Sequence, residues 1–206
     1  MSVKVKICGI TRPEDARVAD EEGADFIGII FAPESSRCVR VDVGGNIASV
    51  VSDARIVGVF VDQPPEEINR IVDEVGLDFV QLHGAEGQSF IDDLSVPAIK
   101  ALPMDRTHHA DDPGVKGWEY VLCDTRAAGQ FGGTGQVFDW DLARDLAAAN
   151  GPKVIVSGGL TPLNVADAVR AIHPWGVDAS SGLEYEPGYK DHKHIADFIK
   201  NAKAAG

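Results

Sequence analysis

Two groups that could transfer protons, a thiol and a carboxyl group, stand where apolar segments of the chain end. Cys8 closes the run "VKVKIC" and is followed at once by Gly9 and a helix-start pattern. A cysteine in that position could act as a nucleophile or a general base, because basic neighbours and a helix N-terminus favour the thiolate. The alternative is a small buried apolar residue, the commonest role of a free cysteine.

The carboxyl group is Asp124, which ends the segment "YVLCD" and precedes a loop rich in glycine between residues 125 and 139. Such a loop can close over a ligand and offer it backbone N–H groups. A carboxyl group at its hinge suits a general acid. The alternative for Asp124 is a helix cap or a solvated loop acid.

Two further segments, "SGGLTPLN" at 157–164 and "DASSGLE" at 178–184, could bind phosphate through backbone N–H groups. Their alternative is a pair of tight turns. Arg37, in "FAPESSRC", is either a surface residue or a clamp for a carboxylate. His83, in "VQLHG", could be a base, a hydrogen-bond donor or a satisfied histidine, and Lys100, in "AIKAL", could form a Schiff base.

These residues need a scaffold, and the chain repeats one local unit that supplies it. A glycine followed by a short apolar run recurs in "GADFIGIIF", "GLDFVQL", "GWEYVLC", "GPKVIVS" and "GVDAS". Together with the opening run and two runs without the glycine, the pattern predicts strands near 3–7, 25–31, 55–60, 78–82, 97–101, 119–123, 153–157 and 176–179. Helical patterns lie between them. One should begin with Thr11 and Glu14 as a capping box, and another with Thr161 as its cap and Pro162 as its first residue.

Strict alternation of strand and helix indicates a parallel sheet, and eight units indicate a closed (β/α)8 barrel, the TIM barrel, over residues 1–206 as a single domain. The alternative is an open, doubly wound sheet. Active sites of such barrels lie at the carboxyl ends of the strands. The candidates there are Cys8, Phe31, Asp62, His83, Lys100, Asp124, Ser157–Gly159 and Asp178–Gly182.

Charge is the unusual feature of the composition. The 206 residues include 32 acidic and 19 basic ones, for a net charge of −13, while the hydrophobic fraction is 44%. Such a field repels nucleic acid and anionic lipid. We interpret it as a surface adapted to a high-salt cytosol, the alternative being an ordinary acidic enzyme.

Targeting and redox signals are absent from the sequence. No apolar run approaches the roughly 18 residues of a membrane span, and no signal-peptide pattern is present. The chain has three cysteines without paired spacing, which argues against a disulfide framework. Histidines at 108–109 and 191–194 fit no metal-ligand spacing. We therefore expect a cytoplasmic protein without a bound metal.

Five motifs in order, "KICGIT", "VQLHG", "GGTGQVFDW", "SGGLTPLNV" and "VDASSGLE", resemble the phosphoribosylanthranilate isomerase family of tryptophan biosynthesis over nearly the whole chain. The resemblance implies an Amadori rearrangement of an N-glycosidic aminoaldose to an aminoketose. It makes Cys8 the general base, Asp124 the general acid and Arg37 the ligand of the anthranilate carboxylate. The remaining substrate-binding candidates are Gly158, Gly159, Ser180 and Ser181 for the phosphate, and His83 and Asp178, which should face the pocket.

The chain departs from that family's usual pattern in three places. Ser36 stands where the family often has proline, Ser157 where it usually has alanine, and Ala179 where it usually has valine. The first change leaves the rigidity of the Arg37 loop open, whereas the other two are compatible with packing changes.

The resemblance implies a small-molecule phosphoribosyl substrate, no cofactor, and a monomer or homodimer. Three rival functions remain open at this point. They are a Schiff-base aldolase using Lys100, a metal-dependent sugar-phosphate epimerase, and a non-catalytic barrel that binds a phosphate ligand.

Overall fold

Eight parallel strands close into a barrel in the computed structural model of the chain, which describes residues 2–103, 115, 117–124, 140–148 and 151–206. Each strand pairs with the next in the sequence, and the last pairs with the first. The strands are β1 Lys4–Ile7, β2 Phe26–Ile30, β3 Arg55–Phe60, β4 Phe79–Leu82, β5 Ala98–Pro103, β6 Tyr120–Asp124, β7 Lys153–Ser157 and β8 Gly176–Ala179. The predicted (β/α)8 barrel is therefore confirmed, and the open sheet is wrong.

Helices lie between the strands and after the last of them. Within the described residues they are α1 Pro13–Glu21, α2 Val41–Ala48, α3 Pro65–Val75, α4 Trp140–Ala148, α5 Val165–Ile172 and α6 His192–Ala205. Short 3₁₀ helices follow β4 and β8, at Gln88–Asp93 and Ser181–Leu183. A hairpin of β9 Glu184–Glu186 and β10 Tyr189–Lys190 connects β8 to α6. The segment expected to be helical after β5 lies outside the described residues.

Both predicted helix starts are wrong in detail. Helix α1 begins at Pro13, with Arg12 at the cap position and no side-chain cap, and the Thr11 hydroxyl instead donates to the Gly188 carbonyl in the β9–β10 turn. Helix α5 begins at Val165, three residues later than Pro162, because a turn comes first. In that turn the Asn164 side chain accepts a hydrogen bond from the Thr161 N–H at 2.7 Å.

The barrel interior is filled at its amino-terminal end. Four aromatic residues, Phe26, Phe79, Tyr120 and Trp175, pack there with ring centroids 5.2–5.8 Å apart and mostly edge-to-face. Above them lies a small layer of buried side chains, Val57, Ile99, Ala101, Leu122 and Ile155. Because this end is filled, a ligand would enter the interior of the barrel from the carboxyl ends of the strands.

Candidate active site

A cavity of about 660 Å³ opens at the carboxyl ends of the strands. Its lining includes eight of the nine side chains and glycines predicted from the sequence, namely Cys8, Arg37, His83, Gly158, Gly159, Asp178, Ser180 and Ser181. Its walls also carry apolar side chains, Ile30, Val59, Val61 and Leu160. The structure therefore brings residues from both ends of the chain into one pocket that combines charged, hydroxyl and apolar surfaces.

The ninth predicted residue, Asp124, is the last residue of β6 and is half-buried. It lies in register with Ser157 on β7, and Ser157 lines the cavity. Residues 125–139, predicted from the sequence as a glycine-rich loop, lie outside the described residues. Asp124 is thus absent from the cavity lining among the described residues, and it ends the strand next to the one that carries Ser157.

Cys8 reaches the pocket because the chain turns sharply just after β1. Gly9 has a φ of +71°, which favours glycine. A Cβ at Gly9 would lie 2.7 Å from Arg37 Cδ and 2.8 Å from Ser180 Oγ, so the absence of a side chain also makes room for those two residues. Cys8 is 6% exposed, and its N–H donates to the Ala179 carbonyl at 2.9 Å.

The other two cysteines have different surroundings. Cys38 is exposed, whereas Cys123 is buried within β6. Burial raises the pKa of the Cys123 thiol to about 12, so it stays protonated at neutral pH. Cys38 is therefore a surface residue and Cys123 a packing residue of the barrel wall.

A buried ion pair lies directly below Cys8. The Lys6 ammonium donates to Asp178 Oδ1 at 2.9 Å, and the Ser157 hydroxyl donates to Asp178 Oδ2 at 2.8 Å. A Cβ at Gly28 would lie 2.8 Å from Cys8 Sγ and 3.0 Å from Lys6 Nζ, so the sulfur and the ammonium flank the same small residue. Burial disfavours the charged lysine, but Asp178 and the Cys8 sulfur outweigh it and raise the pKa of Lys6.

Arg37 is part of an ion-pair cluster with Glu184 and Lys190. Its Nε and Nη2 donate to the two carboxylate oxygens of Glu184, at 2.7 and 2.6 Å. Glu184 Oε1 also accepts from Lys190 Nζ at 2.8 Å, and Lys190 Nζ donates to the Ser180 carbonyl at 3.1 Å. Burial would raise the pKa of Glu184, but Arg37 and Lys190 lower it below its ordinary value.

The two glycine-containing loops after β7 and β8 touch each other. Gly158 and Gly159 have φ values of +92° and +70°. A Cβ at Gly182 would lie 2.0 Å from the Leu160 carbonyl oxygen, so the contact between the loops requires glycine there. The Asn164 amide donates to the Gly159 carbonyl at 3.1 Å and pins the first loop.

His83 follows β4 and pairs with Gln81, whose amide nitrogen is hydrogen-bonded to His83 Nε2. Gln81 is 1% exposed and also lines the cavity. Its Oε1 is the buried side-chain polar atom for which the described residues provide no hydrogen-bond partner. An acceptor in that position could receive a hydrogen bond from a ligand hydroxyl.

Three of the strand-end candidates, Phe31, Asp62 and Lys100, do not line the cavity. Lys100 lies inside β5 rather than at its end, because the strand runs on to Pro103. Its Nζ is buried and donates to the Gly84 carbonyl at 2.6 Å and to Glu86 at 2.9 Å, so it braces a loop and is absent from the cavity lining. Phe31 stacks on Phe60, and Asp62 accepts from the Ala85 N–H in the loop after β4.

Sequence reasoning missed three charged residues of the site. Lys6 could have been found, since it is two residues before Cys8 and side chains two apart share one face of a strand. Glu184 and Lys190 carried no such signal, because Arg37, the partner of Glu184, lies 147 residues away in the chain and Lys190 joins the site only through Glu184 and Ser180.

Two kinds of feature are absent from the described part of the chain. Its residues include no group of three or more His, Cys, Asp or Glu side chains that could hold a metal ion. No helix among them combines the length and the apolar character needed to cross a membrane.

Comparison with known proteins points to one family. The family model for N-(5′-phosphoribosyl)anthranilate isomerase matches residues 5–201. An N-(5′-phosphoribosyl)anthranilate isomerase from Trichlorobacter lovleyi is 39% identical over 204 residues, which cover 98% of this chain and 99% of the relative.

Solved structures agree with that result. A crystal structure of monomers generated from the dimeric phosphoribosylanthranilate isomerase of Thermotoga maritima is 36% identical, with a TM-score of 0.84 and coverage of 98% of this chain and 99% of that one. A phosphoribosylanthranilate isomerase in complex with reduced 1-(o-carboxyphenylamino)-1-deoxyribulose 5-phosphate is 35% identical, with a TM-score of 0.80 and the same coverage.

Proposed function

Because the chain belongs to the N-(5′-phosphoribosyl)anthranilate isomerase family, we infer that it catalyses the Amadori rearrangement of N-(5′-phosphoribosyl)anthranilate in tryptophan biosynthesis. The product is 1-(2-carboxyphenylamino)-1-deoxyribulose 5-phosphate. The observation that carries the inference is the match of the family model to residues 5–201, which include every residue of the cavity lining. That lining holds a thiol for proton removal from the sugar, an arginine for the anthranilate carboxylate and two glycine-containing loops for the phosphate.

In the proposed first step, Asp124 protonates the ring oxygen of the furanose as the bond from C1 to that oxygen breaks. The nitrogen lone pair of the anthranilate forms the new bond to C1, which leaves an iminium ion. A carboxyl group is suited to this step because general acids of this kind contribute about 10²–10⁴-fold to a rate. The position of Asp124 at the carboxyl end of β6, in register with the cavity-lining Ser157, supports this role.

In the second step, the Cys8 thiolate removes the proton from C2. The electron pair of that C–H bond forms a double bond between C1 and C2 and neutralises the iminium nitrogen. The resulting enol gains a proton at C1 and loses its hydroxyl proton, which gives the ketone. The iminium is itself the electron sink, so we propose that the reaction requires no metal or redox cofactor.

The rest of the pocket would hold the substrate. We propose that the phosphate binds at Gly158, Gly159, Ser180 and Ser181, where the loops after β7 and β8 meet. The anthranilate carboxylate would bind Arg37, and the apolar walls of the cavity would contact its ring. His83 and Asp178 would face the sugar, together with the unpartnered oxygen of Gln81.

Several properties of the whole protein follow as proposals. We propose one catalytic domain over residues 1–206 that acts in the cytoplasm as a monomer or homodimer, without nucleic acid or membrane partners. The net charge of −13 supports the absence of nucleic acid binding, since it repels phosphate backbones.

The test is turnover of freshly prepared N-(5′-phosphoribosyl)anthranilate, followed as loss of its fluorescence. We expect turnover that survives EDTA and leaves no protein adduct after borohydride treatment. A lysine adduct would favour the aldolase, loss of activity with EDTA would favour a metal-dependent epimerase, and binding without turnover would favour a non-catalytic barrel.

A further inference from the structure

Glu184 occupies an unexpected place next to Arg37. The side chain of Glu184 is 4% exposed and that of Lys190 is 0% exposed, whereas Arg37 is 18% exposed and lines the cavity. A carboxylate is thus buried against the cation that the proposed function uses to bind another carboxylate. The Glu184 carboxylate either competes with the ligand carboxylate for Arg37 or holds the Arg37 guanidinium in the orientation that the ligand needs.

The geometry favours preparation. Glu184 takes the Nε–Nη2 edge of the guanidinium with two parallel hydrogen bonds of 2.7 and 2.6 Å, which fixes the plane of the group. The Arg37 N–H donates to Ser35 Oγ at 3.1 Å, and Cδ packs against Gly9. Because Glu184 holds the Nε–Nη2 edge, the plane that the guanidinium presents to a ligand in the cavity is fixed.

Charge supports the same interpretation. Arg37 and Glu184 alone would be neutral and would attract a second carboxylate weakly. Lys190 adds a buried ammonium that donates to Glu184 Oε1, to the Ser180 carbonyl and, at 3.5 Å, to Ser180 Oγ. Burial lowers the pKa of Lys190, and the adjacent Glu184 carboxylate opposes that shift and favours the ammonium. The three groups together therefore carry one net positive charge beside the pocket, in a buried setting where solvent screens it little.

We propose that Glu184 is a positioning residue for substrate recognition: it orients Arg37 toward the aromatic carboxylate, while Lys190 supplies the compensating charge and ties this cluster to Ser180. The proposal rests on the proposed function, which assigns the substrate carboxylate to Arg37 and the phosphate to the loop of Ser180. It predicts that loss of the Glu184 charge weakens recognition of one substituent of the ligand and not of the whole ligand.

The experiment compares two ligands on the full chain. One is reduced 1-(o-carboxyphenylamino)-1-deoxyribulose 5-phosphate, and the other is the same molecule without its ring carboxylate. For Glu184→Gln we expect Kd of the first ligand to rise at least tenfold and Kd of the second to change less than twofold. In turnover, KM should rise at least tenfold while kcat changes less than threefold.

A control comes from the amino-terminal end of the barrel. Asp25, just before β2, accepts from Lys4 Nζ at 2.7 Å and from the Val5 N–H at 3.0 Å, and it lies outside the cavity lining. Asp25→Asn should lower the melting temperature without changing the ratio of the two dissociation constants. Glu184→Asp keeps the buried charge but shortens the side chain by one methylene. We expect its Kd for the carboxylated ligand to rise at least threefold more than its Kd for the carboxylate-free ligand. It replaces Glu184→Gln if that variant does not fold.

Each other outcome overturns the proposal. Equal weakening of both ligands would mean that Glu184 only supports the fold, and two unchanged dissociation constants would mean that Arg37 needs no orientation. Tighter binding of the carboxylated ligand would identify Glu184 as a competitor. Turnover by the unmodified chain is measured in parallel, so that absence of turnover refutes the proposed function, whereas turnover with an unchanged ratio refutes this proposal alone.

Discussion

Removal of the Lys6 ammonium should destabilise the protein strongly. The side chains of Lys6 and Asp178 are only 1% and 6% exposed and lie 2.9 Å apart. In Lys6→Met the carboxylate of Asp178 stays buried and keeps, within the described part of the chain, only the Ser157 hydroxyl as a side-chain donor. Breaking a buried pair from one side typically costs about 3–5 kcal/mol. At about 2–4 °C per kcal/mol for a chain of this size, the melting temperature should fall by about 6–20 °C.

The assay is denaturant unfolding, which gives the free energy of unfolding for the unmodified chain, Lys6→Met, and Lys6→Met combined with Asp178→Asn. The double variant removes the orphaned charge, and its asparagine oxygen can still accept from Ser157. It should therefore recover at least half of the stability lost in the single variant, as expected for coupled neighbours. A loss below about 1 kcal/mol, or a double variant no more stable than the single one, would refute the reasoning.

The pH dependence of this contribution has a definite sign. The pKa of Lys6 is raised in the folded state, because Asp178 and the Cys8 sulfur outweigh the cost of burial. A raised pKa means that the stabilisation is fully present below the unfolded value of about 10.4 and is lost only as pH rises through the higher folded value. The stability difference between the unmodified chain and Lys6→Met should accordingly stay constant from about pH 6 to 9 with respect to this group.

The remaining predictions concern catalysis, recognition and salt. Cys8→Ala should lose most of kcat while product-analogue affinity stays within about tenfold, because the thiol acts mainly in the transition state; near-normal turnover would exclude it as the base. Asp124→Asn should lose at least about tenfold in kcat, measured with the same fluorescence assay, and a smaller loss would contradict a general-acid role. Arg37→Lys should weaken the carboxylated ligand and spare its carboxylate-free analogue, since lysine has no planar fork; equal losses would make Arg37 a loop support. The net charge of −13 should make the melting temperature rise steeply between about 0.1 and about 1 M KCl, with activity retained at molar KCl; a flat or falling curve would refute the high-salt interpretation.

Local pattern was sufficient to predict the barrel. Every predicted strand agrees with the observed one to within two residues, as in β3 at Arg55–Phe60 and β8 at Gly176–Ala179. The reason is that buried parallel strands need short apolar runs, and the glycines before them end the preceding helix, as Gly76 does with a φ of +79°. The strand ends then place Cys8, His83 and Asp178 at one mouth without further information.

Local pattern was less reliable at element ends. Thr11 and Thr161 have the right type for helix caps, yet the Thr11 hydroxyl bonds to Gly188 and the Thr161 N–H bonds to Asn164. Lys100 was expected at a strand end, but β5 continues for three more residues and the lysine pairs with Glu86. The hydrogen bonds of these side chains depend on which partner the tertiary structure places nearby, because a hydroxyl or an ammonium can bond to several kinds of acceptor.

The sequence by itself determined the strand and helix order, the mouth of the barrel and most of the residues that line it. Only the tertiary structure decided which charges meet there. Lys6 pairs with Asp178 across 172 residues, and Arg37 pairs with Glu184 across 147. Periodicity reports which face of an element is buried, because that depends on residues a few positions apart. An ion pair between these distant segments forms only when the barrel closes β8 against β1. The spacing of residues within a single segment therefore cannot predict it.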